Sequence, residues 1–176
     1  MLHARGRHGV VLVFSAVAAL LLGPAVRAAS AAADGRVRVL QETPVSAAAD
    51  IPPDVRKECD NLGDELPRAI MRANPRVTIV RTPQELQDKS GKYLFVEITQ
   101  VKSRGGGALT GPKHLNVRGA LVENGKEIAD FEAERGSMAA AGTCSTLQKS
   151  EKELGVDIGE WLQHPRPHAR LGDKNK

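Results

Sequence analysis

Apolar residues recur at three- and four-residue steps over two stretches of this chain and alternate with polar ones over three others. The first helical stretch puts Val55, Cys59, Leu62, Leu66, Ala69, Ile70 and Ala73 on one face, the signature of an amphipathic helix. Gly63 and Pro67 interrupt it. Proline has no backbone donor to continue a helix, so the pattern predicts two short helices. Asp50 is the expected N-cap of the first, ahead of Pro52-Pro53. Asp64 is the expected cap of the second, which keeps Pro67 in its first turn and ends at Asn74-Pro75. Val77-Thr78-Ile79-Val80 predicts a short strand, and Thr82-Pro83-Gln84-Glu85 has the form of a capping box. Tyr93–Val101 alternates most clearly, with Leu94, Val96 and Ile98 on one side. Leu115–Glu123 repeats the alternation, Asn124-Gly125 supplies a tight hairpin turn, and Glu127–Arg135 returns. The last helix is predicted over Thr143–Gln163, with Leu147, Leu154, Ile158, Trp161 and Leu162 as its apolar stripe and Pro165 and Pro167 beyond its end.

The expected fold is α+β: a three-to-four-stranded, mainly antiparallel sheet with the two amphipathic helical segments packed on one face. Met1–Ala28 reads as a signal peptide. It has Arg5 and Arg7, an apolar run from Val10 to Leu22 too short to span a bilayer, and small residues at Val26-Arg27-Ala28. Residues 29–51 are expected to form a flexible arm in which Arg36–Leu40 adds at most an edge strand. Residues 52–163 are expected to form the single domain, and 164–176 a disordered polar tail. No cysteine lies near the cleavage region to carry a lipid, so the expected product is a periplasmic or secreted protein without a stable membrane anchor.

Charge and aromatic content narrow the partners. The formal net charge is +4, but Arg5, Arg7 and Arg27 belong to the leader, and the remaining 22 basic residues nearly balance 21 acidic ones. No basic face is apparent, so nucleic acid is not an expected partner. Beyond the leader the aromatics are Tyr93, Phe95, Phe131 and Trp161, too few for a stacking platform.

Cys59 lies on the stripe of the first helical segment and Cys144 opens the last helix. In an oxidising compartment two such thiols are expected to pair. The bond would close a loop of over eighty residues and stabilise the fold by about 4 kcal/mol in the chain-entropy account. No metal site is expected: beyond the leader the histidines are His114, His164 and His168, and Pro165 and Pro167 keep the last two from sharing a helical face. The segment Gly105-Gly106-Gly107-Ala108-Leu109-Thr110-Gly111-Pro112-Lys113 has a phosphate-loop glycine spacing. It places Pro112 where lysine is required and precedes a strand rather than a helix, so no nucleotide or other cofactor is expected. Gly105, Gly106, Gly107, Lys113 and His114 instead form a candidate binding loop. Glu97, Glu123, Glu127, Asp130, Glu132 and Glu134 populate the strands, where a solvated sheet face accounts for them. No triad is legible, and no catalytic residue is assigned.

The runs Tyr93–Thr99, Gly105–Lys113, Val117-Arg118-Gly119, Gly142–Leu147 and Asp157–Leu162 resemble a family of uncharacterised secreted proteins of Gram-negative bacteria. That resemblance implies a periplasmic location and no established activity. The strand–strand–strand–helix ending is similar to the small α/β domains of envelope assembly proteins, such as the TolB N-terminal and curli-secretion domains, which implies a protein-binding role by analogy. The expected function is a non-enzymatic module that binds another envelope protein through the glycine loop and a neighbouring strand edge. The alternative is a small envelope hydrolase or ligand-binding protein using the strand carboxylates. Partner, substrate and oligomeric state are not legible in the sequence.

Overall fold

The computed structural model describes residues 35–87, 91–103, 112–138 and 142–175, all within the compact unit Ala31–Lys176. The expected signal peptide and Gly105–Gly107 lie outside the described residues. The elements are β1 (Val37–Leu40), β2 (Val45–Asp50), α1 (Pro53–Glu58), α2 (Glu65–Ala73), β3 (Val77–Val80), α3 (Pro83–Leu86), β4 (Lys92–Lys102), β5 (Lys113–Glu123), β6 (Lys126–Ser137), α4 (Thr143–Trp161) and β7 (Ala169–Gly172). A 3₁₀ turn, Asp173–Asn175, follows.

The class is α+β, but the sheet is larger than expected and mixed. It has seven strands in the order β3-β1-β4-β5-β6-β7, with β2 paired to β4 off that path. The β4-β5-β6 meander is antiparallel, whereas β1 is parallel to both β3 and β4 and β7 is parallel to β6. Three expectations are therefore corrected. The arm expected to be flexible carries β1 and β2. The Arg36–Leu40 stretch forms an interior strand, not an edge. The tail expected to be disordered carries β7, in which Ala169 and Leu171 are buried. These strands are short, and their order comes from pairing with segments distant in sequence, as in Val37↔Val77 and Phe131↔Ala169.

The alternating residues fill one side of the sheet. Leu94, Val96, Ile98, Leu115, Val117, Leu121, Phe131 and Ala133 are buried in one cluster with Leu66, Ile70, Leu147, Leu154, Ile158 and Trp161 of the helices. The Phe131 and Trp161 rings meet edge to face, with centroids 4.9 Å apart. Gly119 makes room for this contact, since a Cβ there would lie 2.6 Å from Phe131 Cζ. Asn124 and Gly125 take positive φ, 52° and 77°, as the two-residue hairpin turn requires.

The helical segments divide where glycine and proline broke the pattern, and Cys59 and Cys144 are joined, with Cα atoms 5.4 Å apart. Helices α2 and α4 touch through small residues: a Cβ on Gly155 would press into Ala69 and lie 2.9 Å from the Ile70 nitrogen, and one on Gly159 would press into Ala73. The expected caps differ in detail. The N-cap position of α1 is Pro52, not Asp50, and Asp64 makes no side-chain cap bond to α2. Thr82 does cap α3, accepting from the Glu85 N–H at 3.2 Å, while Glu85 reaches back to the Arg81 N–H at 3.0 Å.

Gly155→Val should destabilise the domain by about 1–3 kcal/mol through overpacking, read as a lower urea midpoint. Val156→Ala, on the exposed side of the same helix, should shift it little. An unchanged midpoint for Gly155→Val would show that the helices are not held at this distance.

Candidate functional site

The side of the sheet away from the helices carries the charged positions of the strands. Register places Glu97, Arg118, Glu132 and Arg170 in one row across β4, β5, β6 and β7. Arg118 binds the Glu97 carboxylate, and Lys174 binds Glu132 at 2.8 Å. Two residues along β6, Asp130 accepts from the His168 backbone N–H at 2.8 Å and lies 3.1 Å from His168 Nδ1. The His168 N–H holds the Asp130 carboxyl below its ordinary range, and the Lys174 ammonium does the same for Glu132. A general acid needs the opposite displacement. Glu132 and Glu134, two residues apart on β6, are also divided: Glu132 serves Lys174, while Glu134 lies 3.1 Å from His114 Nδ1 and 3.8 Å from Lys102 Nζ.

The candidate loop residues are placed differently from one another. Lys113 is the first residue of β5, paired with Ser137 and without exposed surface, so it is not a donor on a loop tip. His114 faces Glu134, but its Nδ1 is outside hydrogen-bond geometry despite the short distance. Beside it Asn116 is buried, and its Nδ2 has no hydrogen-bond partner.

The buried carboxylate that sequence reasoning missed is Glu151, which is fully enclosed in α4. It accepts backbone N–H bonds from Gly63 and Glu65 at 2.9 Å and from Leu66 at 3.2 Å. One side chain thereby caps α2 from another helix, the task assigned to Asp64. Burial raises its pKa, against the lowering effect of the three N–H groups. A single glutamate off the apolar stripe, among Lys152 and Glu153, gives no sequence signal of this role.

A cleft of about 350 Å³ lies at the end of α4, lined by Asp157, Glu160, Trp161, His164, Arg166 and Leu171 among others. Its Asp157 is fully engaged, with both oxygens on the Arg135 guanidinium at 2.7 Å. Among the described residues no group of three or more His, Cys, Asp or Glu side chains is gathered to hold a metal. No helix among them is long and apolar enough to cross a membrane.

At the opposite side of the sheet, β2 meets β4 at Val45↔Ile98 and Asp50↔Gln100, with a register break between. Ser46–Ala49 therefore arch away from the ladder, and Val45, Ala47, Ala48 and Asp50 are exposed. Arg56 of α1 donates to the Ala49 carbonyl at 3.3 Å and to the Ile51 carbonyl at 3.4 Å.

No family model matches the chain, and no curated protein matches it. Among solved structures, the PelC dodecamer from Paraburkholderia phytofirmans is similar to 69% of this chain over 86% of its own, with 9% identity and a TM-score of 0.43. A protein of the uncharacterised DUF330 family from Xanthomonas campestris is similar to 73% of this chain over 83% of its own, with 11% identity and a TM-score of 0.41. No link to the TolB N-terminal or curli-secretion domains is shown. Likeness of this degree transfers neither assembly nor activity.

Glu151→Ala should destabilise the domain by about 3 kcal/mol or more, because three buried N–H groups lose their acceptor. Glu151→Gln keeps one acceptor oxygen and should cost about 1–3 kcal/mol. Because the folded carboxyl holds its proton more tightly than the unfolded one, the wild type should lose stability as pH rises from the ordinary carboxylate range through the raised value. The glutamine deficit should therefore narrow over that window in urea titrations; a deficit that widens would show that the N–H groups outweigh burial.

Proposed function

We propose that this chain is exported to the periplasm or beyond and acts there as a non-enzymatic, protein-binding module of the cell envelope, taking a partner's extended segment onto the β2 edge. The observation that carries this reading is the pairing of β2 with β4 at its two ends alone. The backbone of Ser46–Ala49 lies outside that ladder and is flanked by exposed small side chains that leave room for another strand. Strand addition draws its affinity from such backbone groups and its specificity from neighbouring side chains. Of the strand carboxylates that a hydrolase would use, Glu97, Asp130 and Glu132 each serve a basic partner or a backbone donor.

A photo-crosslinking side chain at Ala47, expressed in intact cells, should yield a discrete adduct of the exported protein. Ala49→Pro, which removes a backbone donor on the side to which the Ala49 carbonyl points, should reduce adduct yield at least tenfold while leaving thermal unfolding in place. Equal adduct yield with and without the proline would sink the edge as the contact surface.

A further inference from the structure

We propose that α1 is a redox-held strap over the β2 edge, closed while Cys59 and Cys144 are joined and open once they are reduced. The proposal rests on the reading of β2 as the docking edge. In an extended chain the carbonyls of residues i and i+2 point to the same side. Ala49 and Ile51 stand in that relation, and Arg56 occupies both carbonyls with one guanidinium. An incoming strand needs these acceptors for its own N–H groups, so Arg56 takes the place of part of the strand that the edge would receive.

What keeps Arg56 there is weak apart from the covalent bond. The helix that carries it has six residues, and Val55 is the buried one among them, while Pro53, Arg56, Lys57 and Glu58 are exposed. A single turn or two of helix with one buried side chain belongs to the low-stability part of a fold. Cys59 follows directly and fixes the end of α1 to the first turn of α4. Reduction by a dithiol would transfer two electrons and two protons to the bond, leaving two thiols and an oxidised reductant. The Cys144 thiol would then have the Glu58 carbonyl, 3.1 Å from its sulfur, as an acceptor, a far weaker tie than the lost bond. Val55 would then be the one buried side chain within α1, flanked by Ile51 and Cys59, and the Ala49 and Ile51 carbonyls would become available as α1 opens.

Glu151 confines the opening to α1, because α2 keeps its own cap from α4 whether or not the cysteines are joined.

The test is amide hydrogen exchange on the oxidised chain, the dithiol-reduced chain and Arg56→Gln with its disulfide intact. Exchange of the Cys59 amide, bonded to the Val55 carbonyl at 2.9 Å, should rise at least tenfold on reduction and stay slow in Arg56→Gln, with Leu94–Ile98 still protected in both. Unchanged exchange at α1 on reduction would overturn the strap. Loss of protection across β4 and β6 on reduction would show the bond to be a plain stabiliser of the whole domain and would overturn the redox part. The Ala47 crosslink, measured in the same three states, separates this proposal from the one beneath it. Adducts that increase in Arg56→Gln support the strap, and adducts of equal yield in all three states reject it. Absence of any adduct, with the exchange result as expected, rejects β2 as the docking edge.

Discussion

A carboxylate buried in α4 sets the geometry of the helical layer. Glu151 spends its oxygens on the backbone N–H groups of Gly63, Glu65 and Leu66, which α2 cannot satisfy from its own first turn. Enclosing a carboxyl group is unfavourable unless its lone pairs are engaged, so α2 and α4 are held in one register. Gly155 and Gly159 meet Ala69 and Ala73 in the same register, and the cysteine pair closes the arrangement one step earlier along both segments. Polar, steric and covalent constraints thus fix the same placement over the sheet.

That placement leaves the opposite surface, among the described residues, without a layer formed by α2 and α4. The strand carboxylates there form a ladder of ion pairs and hydrogen bonds, Glu97 with Arg118, Glu132 with Lys174 and Asp130 with His168. These contacts order exposed charges across β4 to β7, each with a modest contribution in water. The surface is coherent as a sheet face and poorly suited to proton transfer. Backbone chemistry at β2 is therefore the more informative feature for function.

The parts of the fold legible in the sequence are those whose signal is local. The hairpin at Asn124-Gly125, the β4 to β6 alternation, the split of the first helical segment and the stripe of α4 all depend on residues within one element or its neighbour. The strands β2 and β7 were not legible, and β1 was legible only as an edge, because four to six residues carry too little period to outweigh polar flanks, and their partners lie far away in the chain. The site was less legible still. Lys113 reads as a loop cation yet begins a strand and is enclosed, and Glu151 reads as a surface residue yet caps a distant helix. Both reversals come from tertiary context overriding local composition.

The interior position of β1 has a consequence for the order in which the domain is assembled. This strand is the first described element in the chain but lies between β3 and β4. Its edges stay unmatched until the polypeptide has been made through Val80 for one and Leu94 for the other. Until then it is a short strand with unfilled sides, the kind of segment that holding factors recognise. Completion of the sheet is in effect a late event built around an early segment.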